Sequence, residues 1–175
     1  MNNLIEKAKK IRCLICDIDG VLTDGLLYIS DQGNELKAFN IQDGMGLKLL
    51  MAAGIEVAVI TTSKNNVVEH RMRQLGITHY FTGQVDKRSA FHELKSRLGF
   101  SNEQFAYAGD DLPDLPILQQ VGLGVAVANA VSQLKEFAIW TTEKRGGQGA
   151  VREVCDLILT AQQKMDIALE GYLRS

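Results

Sequence analysis

The chain has 175 residues, 46% of them hydrophobic, a net charge of −2 and only two prolines. That length and apolar content suffice for one core and no Pro/Ser-rich linker divides them, so a single domain over 1–175 is expected. The absence of a basic run excludes an electrostatic footprint for nucleic acid, and no stretch reaches the ~18 apolar residues of a membrane span. A small soluble anion is the partner class that remains, met by local positive groups. The polar, charged first ten residues lack the apolar core of a secretory signal, which points to the cytoplasm.

The first predicted strand, near 12–17, is an apolar run that ends in Asp17-Ile18-Asp19-Gly20. Side chains two apart on a strand share a face, so Asp17 and Asp19 are expected together at its end, with Gly20 letting the chain turn sharply. Two crowded carboxylates suit a cation and a phosphate; the bland counterpart is a strand ending in solvated acids. Cys13 and Cys16 have the spacing of a redox or zinc pair, but residues three apart on a strand face opposite ways, so both read as small core hydrophobes. Cys155 and the scattered His70, His79 and His92 give no zinc ligand set.

A β-hairpin is predicted next, from 26–29 and 36–39 around a turn at 30–34 with Gly33. Helical periodicity near 44–53 precedes a strand at 57–61 that ends in Thr61. A helix near 66–75 follows, then Lys87 just before a helix near 88–98. A strand at 105–109 ends in Gly109-Asp110-Asp111, with Asp114 in a predicted helix at 113–120. A last strand at 123–127 and a helix over 150–170, amphipathic across 157–173, complete the pattern.

Strands alternating with helices imply a single Rossmann-like α/β parallel sheet with helices on both faces. In such a sheet ligands bind beyond the carboxyl ends of the strands, so the acid pair, the hydroxyl of Thr61, Lys87 and the second acid pair can line one pocket. Each has a bland counterpart: Thr61 as a strand-end hydroxyl, Lys87 as a solvated cation, Asp110 and Asp111 as helix caps. Their joint occurrence at element boundaries points to phosphoryl transfer.

That constellation resembles the haloacid dehalogenase superfamily, whose motifs are a D-x-D strand end, a Thr/Ser strand end, a Lys and a late acidic cluster. Residues 17–24, Lys37-Ala38-Phe39-Asn40 with Asp43-Gly44, residues 109–112 and residues 146–154 are further similar to the 3-deoxy-D-manno-octulosonate 8-phosphate phosphatases, small capless members that serve lipopolysaccharide synthesis. The resemblance implies a Mg²⁺-dependent phosphatase working through a phosphoaspartate. Asp17 is then the nucleophile and Asp19 the general acid/base, while Thr61 and Lys87 contact the phosphoryl oxygens. Asp17, the Asp19 backbone carbonyl and Asp110 hold Mg²⁺, with Asp111 and Asp114 behind them on metal-bound water.

The hairpin (about 25–40) stands in place of a cap domain, and the resembled family is tetrameric, so a homotetramer is expected in which one subunit's hairpin completes another's site. The glycine-rich tail and helix (about 145–173) is expected to act as a mobile flap, with Gly146, Gly147 and Gly149 before Arg152. Two family arginines are missing: the chain reads Thr61-Thr62-Ser63 where relatives commonly read Thr-Gly-Arg, and it has Gln42 before Asp43-Gly44. Lys64 and Arg71 are the candidate replacements, with Gly146, Gly147 and Arg152 as further substrate contacts. The missing arginines leave a nine-carbon sugar acid 9-phosphate as an alternative substrate. A phosphoacceptor receiver-like signalling module is the alternative of a different class, disfavoured by the order of Lys87 before Asp110 and by the second acid at Asp19. An inactive scaffold is disfavoured because all four motif positions are intact.

Overall fold

Strand β1 (Cys13–Cys16) is fully buried along its length, as a central strand covered on both faces requires. In the computed structural model, which describes residues 2–173, it is preceded by helix α1 (Asn2–Lys9). It is followed by a hairpin of β2 (Tyr28–Ile29) and β3 (Glu35–Leu36) and by helix α2 (Ile41–Ala52). Next come β4 (Glu56–Ile60), α3 (Asn66–Leu75), β5 (His79–Phe81), α4 (Lys87–Leu98) and β6 (Phe105–Gly109). The chain ends in α5 (Leu115–Leu118), β7 (Leu123–Ala126), α6 (Ser132–Phe137), β8 (Trp140–Thr141), α7 (Ala150–Ala161) and α8 (Met165–Leu173).

Six strands form one parallel sheet in the order β5-β4-β1-β6-β7-β8. From β1 the chain builds outward through β4 and β5, then returns to β6 on the other side, so the switch point lies between β1 and β6. Helices α1, α2, α7 and α8 pack on one another as one layer, and α4, α5 and α6 form the other; α2 and α4 both meet β4, covering its two faces. Phe91, Phe105 and Tyr107 are among the largest fully buried side chains. Among the described residues no helix is long and apolar enough to cross a membrane.

The parallel α/β sheet with its hairpin insert is the expected architecture, and its boundaries differ for local reasons. Helix α2 starts at Ile41, ahead of the expected 44, because the Asn40 side chain accepts hydrogen bonds from the backbone N–H of Gln42 and Asp43. The stretch 113–120 is a 3₁₀ turn (Leu112–Asp114) followed by the short α5, since Pro113 and Pro116 bring no N–H to a longer helix. The expected last helix is two, broken where Gln163 takes a φ of 55° and Gln162 Nε2 donates to the carbonyls of Ala8 and Ile11. Strands β5 and β8 and helix α6 run only three, two and six residues, too short for a periodic signal, and α1 lies in a segment read only for charge.

The hairpin pairs only Tyr28 with Leu36 and Ile29 with Glu35, a shorter ladder than expected, and Gly33 turns at its tip. Leu26, Leu27, Ile29 and Leu36 are each more than 60% exposed, whereas Phe39 folds back against the core. The three cysteines are free and buried, in line with their reading as core residues, and burial pushes their thiols up. Met1, Arg174 and Ser175, the ends of the expected domain 1–175, lie outside the described residues.

Leu14 lies wholly buried at the middle of β1 between β4 and β6. Leu14→Ala is expected to destabilise the fold by about 2–5 kcal/mol through lost burial and the cavity left behind. Urea unfolding followed by circular dichroism checks this; a loss below ~1 kcal/mol would contradict the close packing described.

Candidate active site

Strand β1 ends at Cys16, one residue before the first acid. The ladder continues for one bond, Asp17 N–H to the Ala108 carbonyl at 3.1 Å, and then the chain turns. The Ile18 carbonyl accepts from the N–H groups of Val21, Leu22 and Thr23 at 2.9–3.2 Å, and the Thr23 hydroxyl donates to it at 3.3 Å. The expectation that Asp17 and Asp19 share a strand face is therefore corrected: this turn, not the pleat, carries both to one cavity. Gly20 sits in it at φ +89°, and a Cβ there would fall 2.0 Å from an Asp110 carboxylate oxygen, so only glycine lets the second acid approach so closely.

Lys87 is the first residue of α4, behind the Asp86 cap, and points back under the strand ends. Its Nζ lies 2.8 Å from Asp17 Oδ1 and 2.7 Å from Asp114 Oδ1. The buried Tyr107 hydroxyl donates to the same Asp114 oxygen at 2.6 Å. Asp114 Oδ2 accepts from the N–H of Asp110 at 2.8 Å and of Asp111 at 3.2 Å, so its carboxylate shapes the turn after β6. Asp111 is exposed and caps the 3₁₀ turn through Leu112 N–H at 2.7 Å.

Burial raises Asp17 above the usual carboxylate range, and Asp114 raises it further against the opposing pull of Lys87. Burial and the neighbouring Asp114, Asp17 and Asp111 push Asp110 up to about 8. Burial works against the Lys87 charge, but Asp17 and Asp114 outweigh it and hold its pKa above the ordinary lysine value. Around Lys87 the carboxyl groups of Asp17, Asp110 and Asp114 outnumber the one ammonium among them.

Asp17, Asp19, Lys87, Asp110, Asp111 and Asp114 line one cavity of about 260 Å³, together with Thr62. Carboxylate oxygens of Asp17, Asp110 and Asp114 lie within 4.8 Å of one another, and Asp17 Oδ1 is buried without a hydrogen-bond donor in line with it. Thr61 is buried beside this cavity, and its hydroxyl accepts from Ser63 N–H at 3.1 Å.

The other candidates lie elsewhere. Lys64 and Ser63 border a groove beside the hairpin with Glu35 and Asn65. Arg71 donates to Gln74 at 2.7 Å, stands 5.7 Å from the Phe39 ring and packs against Gly44, in a pocket that also holds Lys48. Arg152 donates from its backbone to Asp43 and from its side chain to Asp156, both at 2.8 Å.

The glycines of the expected flap pack closely on the acid turn. A Cβ on Gly146 would meet the Gly20 carbonyl at 1.8 Å, Gly147 N–H donates to the Val21 carbonyl at 3.0 Å, and Asn40 donates to the Gly147 carbonyl at 3.2 Å. These glycines are small so that the tail can back the acid turn, and they do not line the cavity. Asn129 joins the two, donating to the Gly20 carbonyl at 2.9 Å and accepting from Gly146 N–H at 2.6 Å. Asn129 and Tyr107 carry no sequence signal of their own, and Thr23 lies in the 17–24 segment with no role read for it. Lys37, whose Nζ meets Asp19 Oδ1 at 2.5 Å, belongs to the 37–40 segment that resembles the family, where the sequence alone points to no role for it.

Residues 55–154 match the family model described as haloacid dehalogenase-like hydrolase. The chain is 52% identical over 165 residues to the 3-deoxy-D-manno-octulosonate 8-phosphate phosphatase of Yersinia pestis, covering 94% of this chain and 88% of that one. A HAD-superfamily (subfamily III A) hydrolase from Legionella pneumophila has 70% identity and a TM-score of 0.98, covering 100% of this chain and 96% of its own. The octulosonate phosphatase of Moraxella catarrhalis, solved with a magnesium ion, phosphate and KDO, has 42% identity and a TM-score of 0.94, covering 98% and 99%.

Asp114→Ala would leave Lys87 with one carboxylate and orphan the Tyr107 hydroxyl and the N–H of Asp110 and Asp111. A loss of about 3–5 kcal/mol in unfolding free energy is expected, as for breaking other buried ion pairs. Urea titration of purified variant and parent checks it.

Proposed function

We propose that this chain, which belongs to the haloacid dehalogenase-like hydrolases, is a Mg²⁺-dependent phosphatase that hydrolyses 3-deoxy-D-manno-octulosonate 8-phosphate in lipopolysaccharide precursor synthesis. The observation that carries the reading is Lys87 held between Asp17 and Asp114 on the wall of a cavity into which Asp19 and Asp110 also open. A receiver-like module is set aside by the hydrolase family and by Asp19, a second acid at the cavity with no counterpart in receivers.

The residues fit Mg²⁺, which favours one or two carboxylates together with water and phosphate oxygens. Asp17 and Asp110 would hold it, with the Asp19 backbone carbonyl. Asp114, whose two oxygens already take four donors, instead orients Lys87 and the turn after β6, and Asp111 would reach the ion through water. When bound, the ion offsets the repulsion between the Asp17 carboxylate and the phosphate dianion.

Asp17 attacks phosphorus, forming an aspartyl phosphate as the bond to the sugar oxygen breaks. Asp19 gives its proton to that oxygen, then takes one from the water that opens the aspartyl phosphate. The Lys87 charge and the Thr61 hydroxyl stabilise the equatorial phosphoryl oxygens, where transition-state charge spreads. Thr62, on the cavity wall, is a further donor within reach of the same phosphate.

The exposed Leu26, Leu27, Ile29 and Leu36 leave an apolar arm that supports a homotetramer in which a neighbour's hairpin closes over each cavity, and the cytoplasm remains the location proposed for it. Lys64 and Arg71, away from their own protomer's cavity, would contact sugar only across such an interface.

Phosphate release from a panel of eight- and nine-carbon sugar acid phosphates tests the activity. The expected order places octulosonate 8-phosphate first, with activity abolished by chelator and reduced about 10³-fold or more in Asp17→Asn. Preference for the nine-carbon 9-phosphate would reassign the substrate through Ser63 and Gln42, and no release from any ester would sink the phosphatase reading. For the assembly, light scattering is expected to give four times the 19.3 kDa chain mass; a fully active monomer would refute it.

A further inference from the structure

Lys37 lies one residue beyond β3, yet its side chain is only 3% exposed. Its Nζ bonds Asp19 Oδ1 at 2.5 Å and Glu35 Oε1 at 2.7 Å. Glu35 shares a groove with Asn65, whose own side chain caps α3 through Val67 N–H at 2.9 Å. One line of ion pairs therefore runs from the turn after β1 into the hairpin, beside the loop after β4. Burying an ammonium is costly unless it is paired, and here two carboxylates converge on it.

Asp19 itself is 38% exposed and stands in a turn, where a carboxylate's terminal torsion is broad. A proton helps a departing oxygen only from an acid held within hydrogen-bond reach of it. We propose that Lys37 is the positioning residue for both proton transfers of Asp19, an inference that rests on the phosphatase reading above. The ammonium occupies Oδ1 with a charge-assisted bond, so Oδ2 is the oxygen that exchanges protons with substrate and water. In the first step the Oδ2 proton passes to the sugar oxygen as its bond to phosphorus breaks and the Asp17–phosphorus bond forms. In the second, Oδ2 takes a proton from water as the water oxygen bonds phosphorus and Asp17 is released. The hairpin thus reaches its own subunit's chemistry, separately from any surface it offers to a neighbour.

A purely structural fastening and a positioning role differ in their dependence on the leaving group. A sugar alkoxide needs a proton to depart, whereas 4-nitrophenolate leaves without one. In the full-length Lys37→Met protein with Mg²⁺, kcat for octulosonate 8-phosphate is expected to fall about 10²-fold with KM within about threefold, the usual scale of general acid–base catalysis. With 4-nitrophenyl phosphate the same variant is expected to give a burst of nitrophenolate at close to the parental rate, followed by slow turnover, because opening of the aspartyl phosphate still needs the base. Lys37→Arg, which keeps the donor, is expected to restore much of the loss. Equal falls on both esters without a burst, or a change in KM alone, would overturn the proposal. Should Lys37→Met not fold by circular dichroism, Glu35→Gln, which loosens Lys37, is expected to show the same leaving-group selectivity at smaller size, and an unselective loss would overturn it too. A parent protein inactive on both esters would instead remove the phosphatase reading on which the inference stands.

Discussion

Three carboxylates beyond the ends of adjacent parallel strands repel one another, and the ammonium of Lys87 between Asp17 and Asp114 is what lets them be buried together. Without that cation the low-dielectric site would force the acids to protonate or move apart. The arrangement carries a local cost. Lysine at the first position of a helix faces the positive end of the helix dipole, worth some 0.3–1 kcal/mol against it. Lys87 stands there because the site needs it, and the Asp86 cap and the carboxylates it meets offset the penalty.

The topology explains why these groups converge. The order β5-β4-β1-β6-β7-β8 places the reversal of chain direction across the sheet between β1 and β6, opening a crevice beyond their carboxyl ends. Asp17 leaves one of those strands and Asp110 the other, while α4 delivers Lys87 from beneath. Distances within the site then depend on close backbone approach, with Gly20 against Asp110 on one side and Gly146 against Gly20 on the other.

What the sequence made legible follows from where the information is local. Asp17, Asp19, Lys87 and Asp110 stand at element boundaries marked by strong apolar runs, so their convergence could be read without coordinates. The strands β5 and β8 could not, because two or three half-buried residues show no period. Gly146 and Gly147 are legible only in part: glycine signals flexibility and close packing alike, and the close approach to the backbone 126 positions earlier carries no local mark. Lys37 was hidden because its partner Asp19 lies across a hairpin whose register no local pattern fixes. Arg71 and Lys64 are expected to replace the two missing arginines in gripping the sugar acid, whereas Arg71 is taken up by the Phe39 ring and Gln74, and Lys64 sits beside the hairpin against Gly83.

The tail that backs the acid turn also bears on how the protein comes into being. Gly20 is set by Asn129, 109 residues later, and by Gly146 beyond it, so the reactive turn near the start of the chain is braced by segments translated far later. During synthesis the N-terminal strand and hairpin emerge first, carrying two acids with neither Lys87 nor this brace behind them. A nascent chain therefore holds the parts of a hydrolase without its geometry until Asn129 and Gly146 are present to brace the turn.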